Sequence, residues 1–246
     1  MWLLVDLGNS RLKSAWHEPG HLDALVPYDW RSASFDSGLE QRWAGGRPDR
    51  IICGNVAGKR CAGKLSRYAR DRWDREVEFL EVQGSAAGVT NRYGAPEQLG
   101  IDRWALAVAA FDLAGGPVVA IDAGTALNVE FVDAGGDYLG GLIAPGISLL
   151  AESLASNTEN LFAVEQAMHG GVGRNTVECL GAGLKHMLSG FLWRTERTAL
   201  DSFGSGPNWL VTGGDAERFT ELADMNASLV PDLVLRGLAL LAGSKC

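Results

Sequence analysis

The chain has 246 residues, with 22 Lys and Arg against 30 Asp and Glu, a net charge of −8, 46% hydrophobic residues and 21% charged residues. That composition excludes wholesale disorder and is long enough for one large domain or two small ones. The acidic balance argues against nucleic acid as a partner, which would require a basic stripe to displace counterions, and against charge-held contact with an anionic membrane.

Residues 2–7 form a short apolar run that reads as a buried strand. Gly8-Asn9-Ser10 breaks it and residues 11–16 alternate, so the chain is expected to open with a β-hairpin. Residues 51–53 predict another strand, ended by Gly54-Asn55. Residues 59–74 are basic, with Leu65, Tyr68 and Trp73 interspersed, and read as a surface helix; 77–82 read as a strand. Tyr93-Gly94-Ala95-Pro96 is a loop, and a helix begins near Gly100 to Asp102 and continues through Trp104, Leu106, Ala107, Ala110 and Phe111. Ala114-Gly115-Gly116-Pro117 predicts a boundary that divides the chain into 1–114 and 115–246.

After it the pattern restarts. Residues 118–121 and 127–132 predict two strands, and Gly135-Gly136-Asp137 a turn into Tyr138-Leu139. Helices are expected over 147–154, 177–192, 216–222 and 233–242, with a strand over 209–212. Cys53, Cys61, Cys179 and Cys246 lie far apart without zinc-ribbon spacing and read as isolated reduced thiols. The N-terminal run reaches Asp6 too soon for a signal-peptide core, and no 18-residue apolar run exists. A cytoplasmic protein without membrane contact is expected.

The most informative feature is an internal echo. Val5-Asp6-Leu7-Gly8-Asn9 follows the first strand, and Ile121-Asp122-Ala123-Gly124-Thr125 follows the strand after the boundary. Each is an apolar strand, an Asp, a turn with Gly, a polar side chain and a returning strand. Two such copies, each opening half of the chain, predict two related domains. Such hairpins expose backbone N–H groups that can bind phosphate oxygens. Asn9, Ser10 and Thr125 add donors and Lys13 a positive charge, while Asp6 and Asp122 end their strands where a carboxylate can hold a cation. Each Asp-x-Gly also reads as a simple turn closed by its own side chain. A P-loop, a dinucleotide fingerprint and a nucleophile elbow are all missing, and the four His residues show no metal spacing.

These turns resemble those of the superfamily of acetate and sugar kinases, heat-shock ATPases and actin. More narrowly, the chain resembles the type III pantothenate kinases. The matching blocks are Asp6-Leu7-Gly8-Asn9-Ser10-Arg11-Leu12-Lys13; Tyr93 with Leu99-Gly100-Ile101-Asp102-Arg103-Trp104; and Asp122-Ala123-Gly124-Thr125-Ala126. Further along are Gly140-Gly141-Leu142-Ile143-Ala144-Pro145-Gly146, Gly173-Arg174-Asn175-Thr176, Thr212-Gly213-Gly214-Asp215 and Pro231-Asp232-Leu233-Val234-Leu235-Arg236-Gly237-Leu238. The chain departs from the pattern at Ser10, where Thr is usual, at Asn128 and Glu130, where Thr and Asp are usual, and at Gly54-Asn55, where Ser-type residues are common.

The resemblance implies an α/β fold of two duplicated ribonuclease H-like domains, each a mixed β-sheet with flanking helices, facing a nucleotide cleft. It implies ATP-dependent phosphorylation of pantothenate, the first step towards coenzyme A. It makes Asp102 the catalytic base, although an Asp at a helix start also reads as a cap. It assigns Asp6, Leu7, Gly8, Asn9, Ser10, Arg11, Leu12, Lys13 and Thr125 to ATP, and Tyr93, Gly100, Ile101, Asp102, Arg103 and Thr176 to pantothenate. Thr176 also reads as a helix cap. Asp122 is implied as the ligand of a monovalent cation, K⁺ or NH₄⁺, and ATP is expected with Mg²⁺ or another divalent ion. A homodimer through the C-terminal domain is implied, with Leu149, Leu150, Leu154 and residues 177–192 supplying its apolar surface. Two alternatives stay open: another small-molecule kinase of this superfamily, and a regulatory accessory protein on the same scaffold.

Overall fold

The computed structural model describes residues 1–30, 35–155 and 167–243. They group into two compact units, Met1–Leu113 with Asp232–Cys246, and Ala114–Pro231. The first half contains strands β1 (Trp2–Leu7), β2 (Leu12–Glu18), β3 (His21–Leu22) and β4 (Val26–Tyr28), then helix α1 (Phe35–Arg42), β5 (Arg50–Asn55), α2 (Lys59–Trp73) and β6 (Val77–Phe79). A small hairpin of β7 (Ser85–Ala86) and β8 (Val89–Asn91), a 3-10 turn at Pro96–Gln98 and α3 (Ile101–Ala114) follow. The second half holds β9 (Val118–Ala123), β10 (Ala126–Val132), β11 (Asp137–Pro145), α4 (Ile147–Ala155), α5 (Thr176–Phe203), β12 (Asn208–Thr212), α6 (Ala216–Leu222) and β13 (Ser228–Leu229). Helix α7 (Leu233–Leu241) ends the described chain.

Both units carry the same strand scheme. In the first, the order is β3-β2-β1-β5-β6, with β4 also on β2; the second sheet contains the run β13-β12-β9-β10-β11. In the first, β1 is antiparallel to β2 and parallel to β5, so that Asp6 faces Lys13 on one side and Gly54 on the other. In the second, β9 is antiparallel to β10 and parallel to β12, and Asp122 faces Asn128 and Thr212. A parallel return needs a crossover, and the helices supply it: α2 between β5 and β6, α6 between β12 and β13. The fold is therefore a mixed α/β arrangement of two mixed sheets flanked by helices.

Strand parity decides where the two Asp residues point. Successive side chains alternate faces. Leu3, Val5 and Leu7 pack with Leu39, Leu65, Tyr68 and Trp73 of α1 and α2 in one core cluster. Val119, Ile121 and Ala123 pack with Leu188, Leu192 and Phe219 of α5 and α6 in another. Asp6 and Asp122 occupy the intervening parity and so lie on the opposite sheet face.

The division 1–114 and 115–246 read from the sequence assigns the last helix to the second half. In the structure, residues 232–246 group with the first unit instead. The cause is that α7 is apolar nearly all round: Leu233, Val234, Leu235, Gly237, Leu238, Ala239 and Leu241 are buried. An all-round apolar helix must be covered on every side, and it lies against β1 and β5 of the first sheet.

Helix α5 is longer than expected, ending at Phe203 instead of 192. The charged run Arg194, Glu196 and Arg197 hides the continuation, but Leu184, Leu188, Leu192, Thr195 and Ala199 form one buried row at helical spacing. Its N-cap is Asn175, whose side chain accepts from the Glu178 N–H at 3.0 Å. Thr176 is thus the first helical residue and not the cap.

Strand β6 is shorter than the expected 77–82; β3, β4, β7, β8 and β13 have only two or three residues each and show no period, and α1 buries only Phe35, Gly38 and Leu39 of its eight residues. Cys53, Cys61 and Cys179 are free thiols, and Cys246 lies outside the described residues. Among the described residues no helix is long and apolar enough to cross a membrane.

Candidate active site

The first turn is built at the end of β1. Asp6 is 6% exposed, and the Lys13 ammonium lies 4.0 Å from its carboxylate across the hairpin. The Gly8 N–H donates to the Arg11 carbonyl at 3.1 Å and closes the turn around Asn9 and Ser10. Asn9 and Arg11 are exposed, and Ser10 and Lys13 half-buried. Leu7 and Leu12 are fully buried and belong to the core, so only their backbone is available to a ligand. The Leu7 carbonyl accepts from the Val56 and Ala57 N–H groups at 3.0 and 3.2 Å, which ties the segment after β5 to the turn. Burial, then the Asp6 charge and Cys61, pushes the neighbouring Cys53 thiol well above its usual range and leaves it inert.

The start of α3 lies on the same sheet face as Asp6. Gly54 pairs with Asp6 across β1 and β5, and a Cβ at Gly54 would stand 2.9 Å from Leu238 and 3.5 Å from Ile101. A side chain at Gly54 would therefore have to displace Leu238 of α7 and would touch Ile101 at the start of α3. The Gly100 carbonyl accepts from the Trp104 N–H at 3.0 Å, which makes Gly100 the residue that opens the helix. Asp102 sits inside the first turn. Its carboxylate accepts from the Arg103 N–H at 2.8 Å and occupies the space a Gly100 Cβ would need. A carboxylate here is favoured by the partial positive charge of the helix start. Arg103 is 8% exposed, and its guanidinium stands 5.8 Å from the centre of the Tyr93 ring. Tyr93 is itself held by its N–H, which donates to the Asn91 side chain at 2.9 Å.

The second turn follows β9. Backbone bonds clasp it from three sides: Gly124 N–H to the Ala126 carbonyl at 3.1 Å, Gly146 N–H to Thr125 at 3.0 Å and Asp215 N–H to Ala123 at 2.9 Å. Thr125 is exposed at the tip and Asp122 is half-buried. Gly213 has a positive φ of 104°, and a Cβ there would lie 2.5 Å from an Asp122 carboxylate oxygen and collide with the Ala123 carbonyl. Asn128 stands beside Asp122 in register. Glu130, fully buried, accepts from the Tyr138 hydroxyl at 2.6 Å.

The sequence model of the type III pantothenate kinases matches residues 2–197. The chain belongs to the type III pantothenate kinase family.

Among curated relatives, the type III pantothenate kinase of Alkalilimnicola ehrlichii is 36% identical over 243 residues, covering 98% of this chain and 97% of the relative. That of Nitrosococcus oceani is 32% identical over 252 residues, covering 98% and 94%. Two solved structures share the fold. A Campylobacter jejuni protein described as a Baf family transcriptional activator superposes with a TM-score of 0.60 at 22% identity, covering 97% of this chain and 96% of that one. Component A of (R)-2-hydroxyglutaryl-CoA dehydratase from Acidaminococcus fermentans gives 0.57 at 11%, covering 98% and 96%.

In this member of the type III pantothenate kinase family, the first unit gathers the turn from Asp6 to Lys13, Tyr93 and residues 100–103. The second unit gathers Asp122 and Thr125, while Thr176 is exposed on a separate element, the first turn of α5. Two contributors escape the sequence reading. Gly146 falls within a motif block but shows its purpose only through its bond to Thr125. The Trp30 indole N–H donates to the Gly8 carbonyl at 2.8 Å, and nothing in the spacing of those residues signals it.

Proposed function

We propose that the chain transfers the γ-phosphoryl group of ATP to the primary hydroxyl of pantothenate. The observation that carries this reading is the Asp102 carboxylate at the opening of α3, next to Arg103, whose guanidinium lies 5.8 Å from the Tyr93 ring centre, and on the sheet face of Asp6, in a chain of this kinase family. Phosphoryl transfer is mostly positioning and charge stabilisation. Asp102 accepts the proton of the attacking hydroxyl. Arg103 donates to the polar groups of pantothenate, Tyr93 forms an aromatic wall, and Gly100, Ile101 and Thr176 complete its contacts. Ile101 is 6% exposed, so its share is its backbone. The N–H groups from Asp6 to Lys13, the side chains of Asn9, Ser10, Arg11 and Lys13, and Thr125 hold the phosphates.

Among the described residues no three His, Cys, Asp or Glu side chains converge on a metal position. The donors fit cations that also take oxygen from elsewhere. Asp6 would hold Mg²⁺, which neutralises triphosphate charge when bound. Asp122 would hold K⁺ or NH₄⁺, and Gly213 keeps the space around its carboxylate clear of a side chain. Use of ATP points to the cytoplasm. We also infer a homodimer through the second unit, supported by exposed Leu149, Leu154, Met187 and Trp193 on α4 and α5.

The deciding measurement is coupled ADP release with pantothenate, Mg²⁺ and K⁺. Turnover should require pantothenate and fall when Na⁺ replaces K⁺. ADP release with a different alcohol but not with pantothenate would move the reading to another kinase substrate. Equal rates in Na⁺ and K⁺ would remove the role of Asp122, and a monomer in sedimentation at micromolar concentration would remove the dimer.

A further inference from the structure

The proposed phosphate turn is held by a residue outside it. Trp30 lies 22 positions from Gly8, and its indole N–H donates to the Gly8 carbonyl at 2.8 Å. The peptide joining Gly8 to Asn9 is planar and trans, so its C=O and its N–H point in opposite directions. A donor that captures the carbonyl therefore also aims the Asn9 N–H. Without such a hold a peptide next to glycine rotates readily, and rotation would turn a carbonyl oxygen, not a donor, towards an anion. The Gly8 N–H already bonds the Arg11 carbonyl, and Asn9 is exposed. In the second turn a backbone donor, the Gly146 N–H, captures the carbonyl one position further along, that of Thr125, at 3.0 Å. In the first turn a side chain does the capturing.

We propose that Trp30 is a positioning residue for the nucleotide, which holds the Gly8 carbonyl so that the Asn9 N–H points at the ATP phosphates. The inference rests on the reading of this turn as the ATP site. Trp30→Phe keeps an aromatic ring and removes the donor. The KM values for ATP and for pantothenate should be measured separately, with the affinity for a non-hydrolysable ATP analogue by calorimetry. Loss of one such orienting bond should raise the KM for ATP and the Kd of the analogue about five- to thirtyfold, and leave the KM for pantothenate within about twofold. Trp30→His, which restores a ring N–H, should recover part of the loss. If both KM values rise alike, or neither moves, Trp30 only packs and the proposal is overturned.

A second measurement needs no variant. In wild-type protein labelled with ¹⁵N-asparagine, the Asn9 amide proton should move downfield on addition of the Mg²⁺ complex of the analogue. An unmoved Asn9 amide in protein that turns over ATP overturns the role of Trp30 alone. Wild-type protein that neither binds the analogue nor releases ADP overturns the kinase reading, and this proposal with it.

Discussion

Asp102→Asn separates the chemical role of this side chain from its structural one. Asp102 has two duties in the first turn of α3: its carboxylate accepts the Arg103 N–H at 2.8 Å, and its charge sits near the positive end of the helix. Asparagine keeps a carbonyl oxygen of the same reach, so the bond to Arg103 survives. What is lost structurally is the charge–dipole interaction, about 0.3–1 kcal/mol. For a chain of this size that lowers Tm by about 1–4 °C. What is lost chemically, in the role proposed for Asp102, is the group that accepts the hydroxyl proton. Removing a general base costs about 10²–10⁴ in rate, equivalent to about 2.7–5.5 kcal/mol of barrier. Coupled ADP release should therefore show kcat down by that factor, with the KM for ATP little changed, in a protein that melts within a few degrees of wild type. A kcat within a few-fold of wild type would refute Asp102 as the base. A large loss of Tm alongside the rate would mean that its structural duty has been underestimated.

Three further outcomes are expected. Arg103→Lys loses the planar fork that packs on Tyr93 and should raise the KM for pantothenate about tenfold or more, while the KM for ATP stays near wild type; parallel changes in both would show general loosening. Tyr138→Phe deletes the hydroxyl that donates to buried Glu130 at 2.6 Å. Taking a partner away from a buried polar group costs about 1–3 kcal/mol, so the urea midpoint should fall with an unchanged slope, and an unshifted midpoint would show the bond to be of no consequence. His17 is 1% exposed, and burial lowers its pKa from the ordinary 6.5, opposed by its bond to the His21 carbonyl and reinforced by the N-terminal charge. The unfolded chain then takes up a proton more readily than the native one. The contribution of His17 is full above pH 6.5 and is lost as pH falls from there through its lower native value. His17→Gln should flatten that part of the stability profile measured by denaturation, and identical profiles would remove His17 as its source.

Much of the local structure was legible because its causes are local. An apolar run ended by Asp and Gly marks β1 and β9 with their hairpins, helical periodicity marks α2 and α6, the ends of α6 included, and a continuous apolar run after Pro231 marks α7. Where the signal is longer than the reading window or shorter than one period, it fails. The buried row of α5 continues through Thr195 and Ala199 beneath a charged exterior. Strand β3 has two residues and shows no alternation at all. The candidate site divides in the same way. Asp6, Asp122 and the residues of both turns announce themselves by repetition, and Asp102 by its motif.

The sequence by itself determined the strands, the turns and most of the helices on which the candidate site residues sit, since hydrophobic period, turn residues and helix starts act over a few neighbours. Tertiary structure decided what meets what. It set Ile101 over Gly54 on the Asp6 face, and Arg103 against Tyr93. It brought the Trp30 indole to the Gly8 carbonyl, and α7 to the sheet of the first unit. Each of these joins residues ten or more positions apart along the chain. Such contacts depend on which buried faces fill one another, and no short stretch of sequence contains that information.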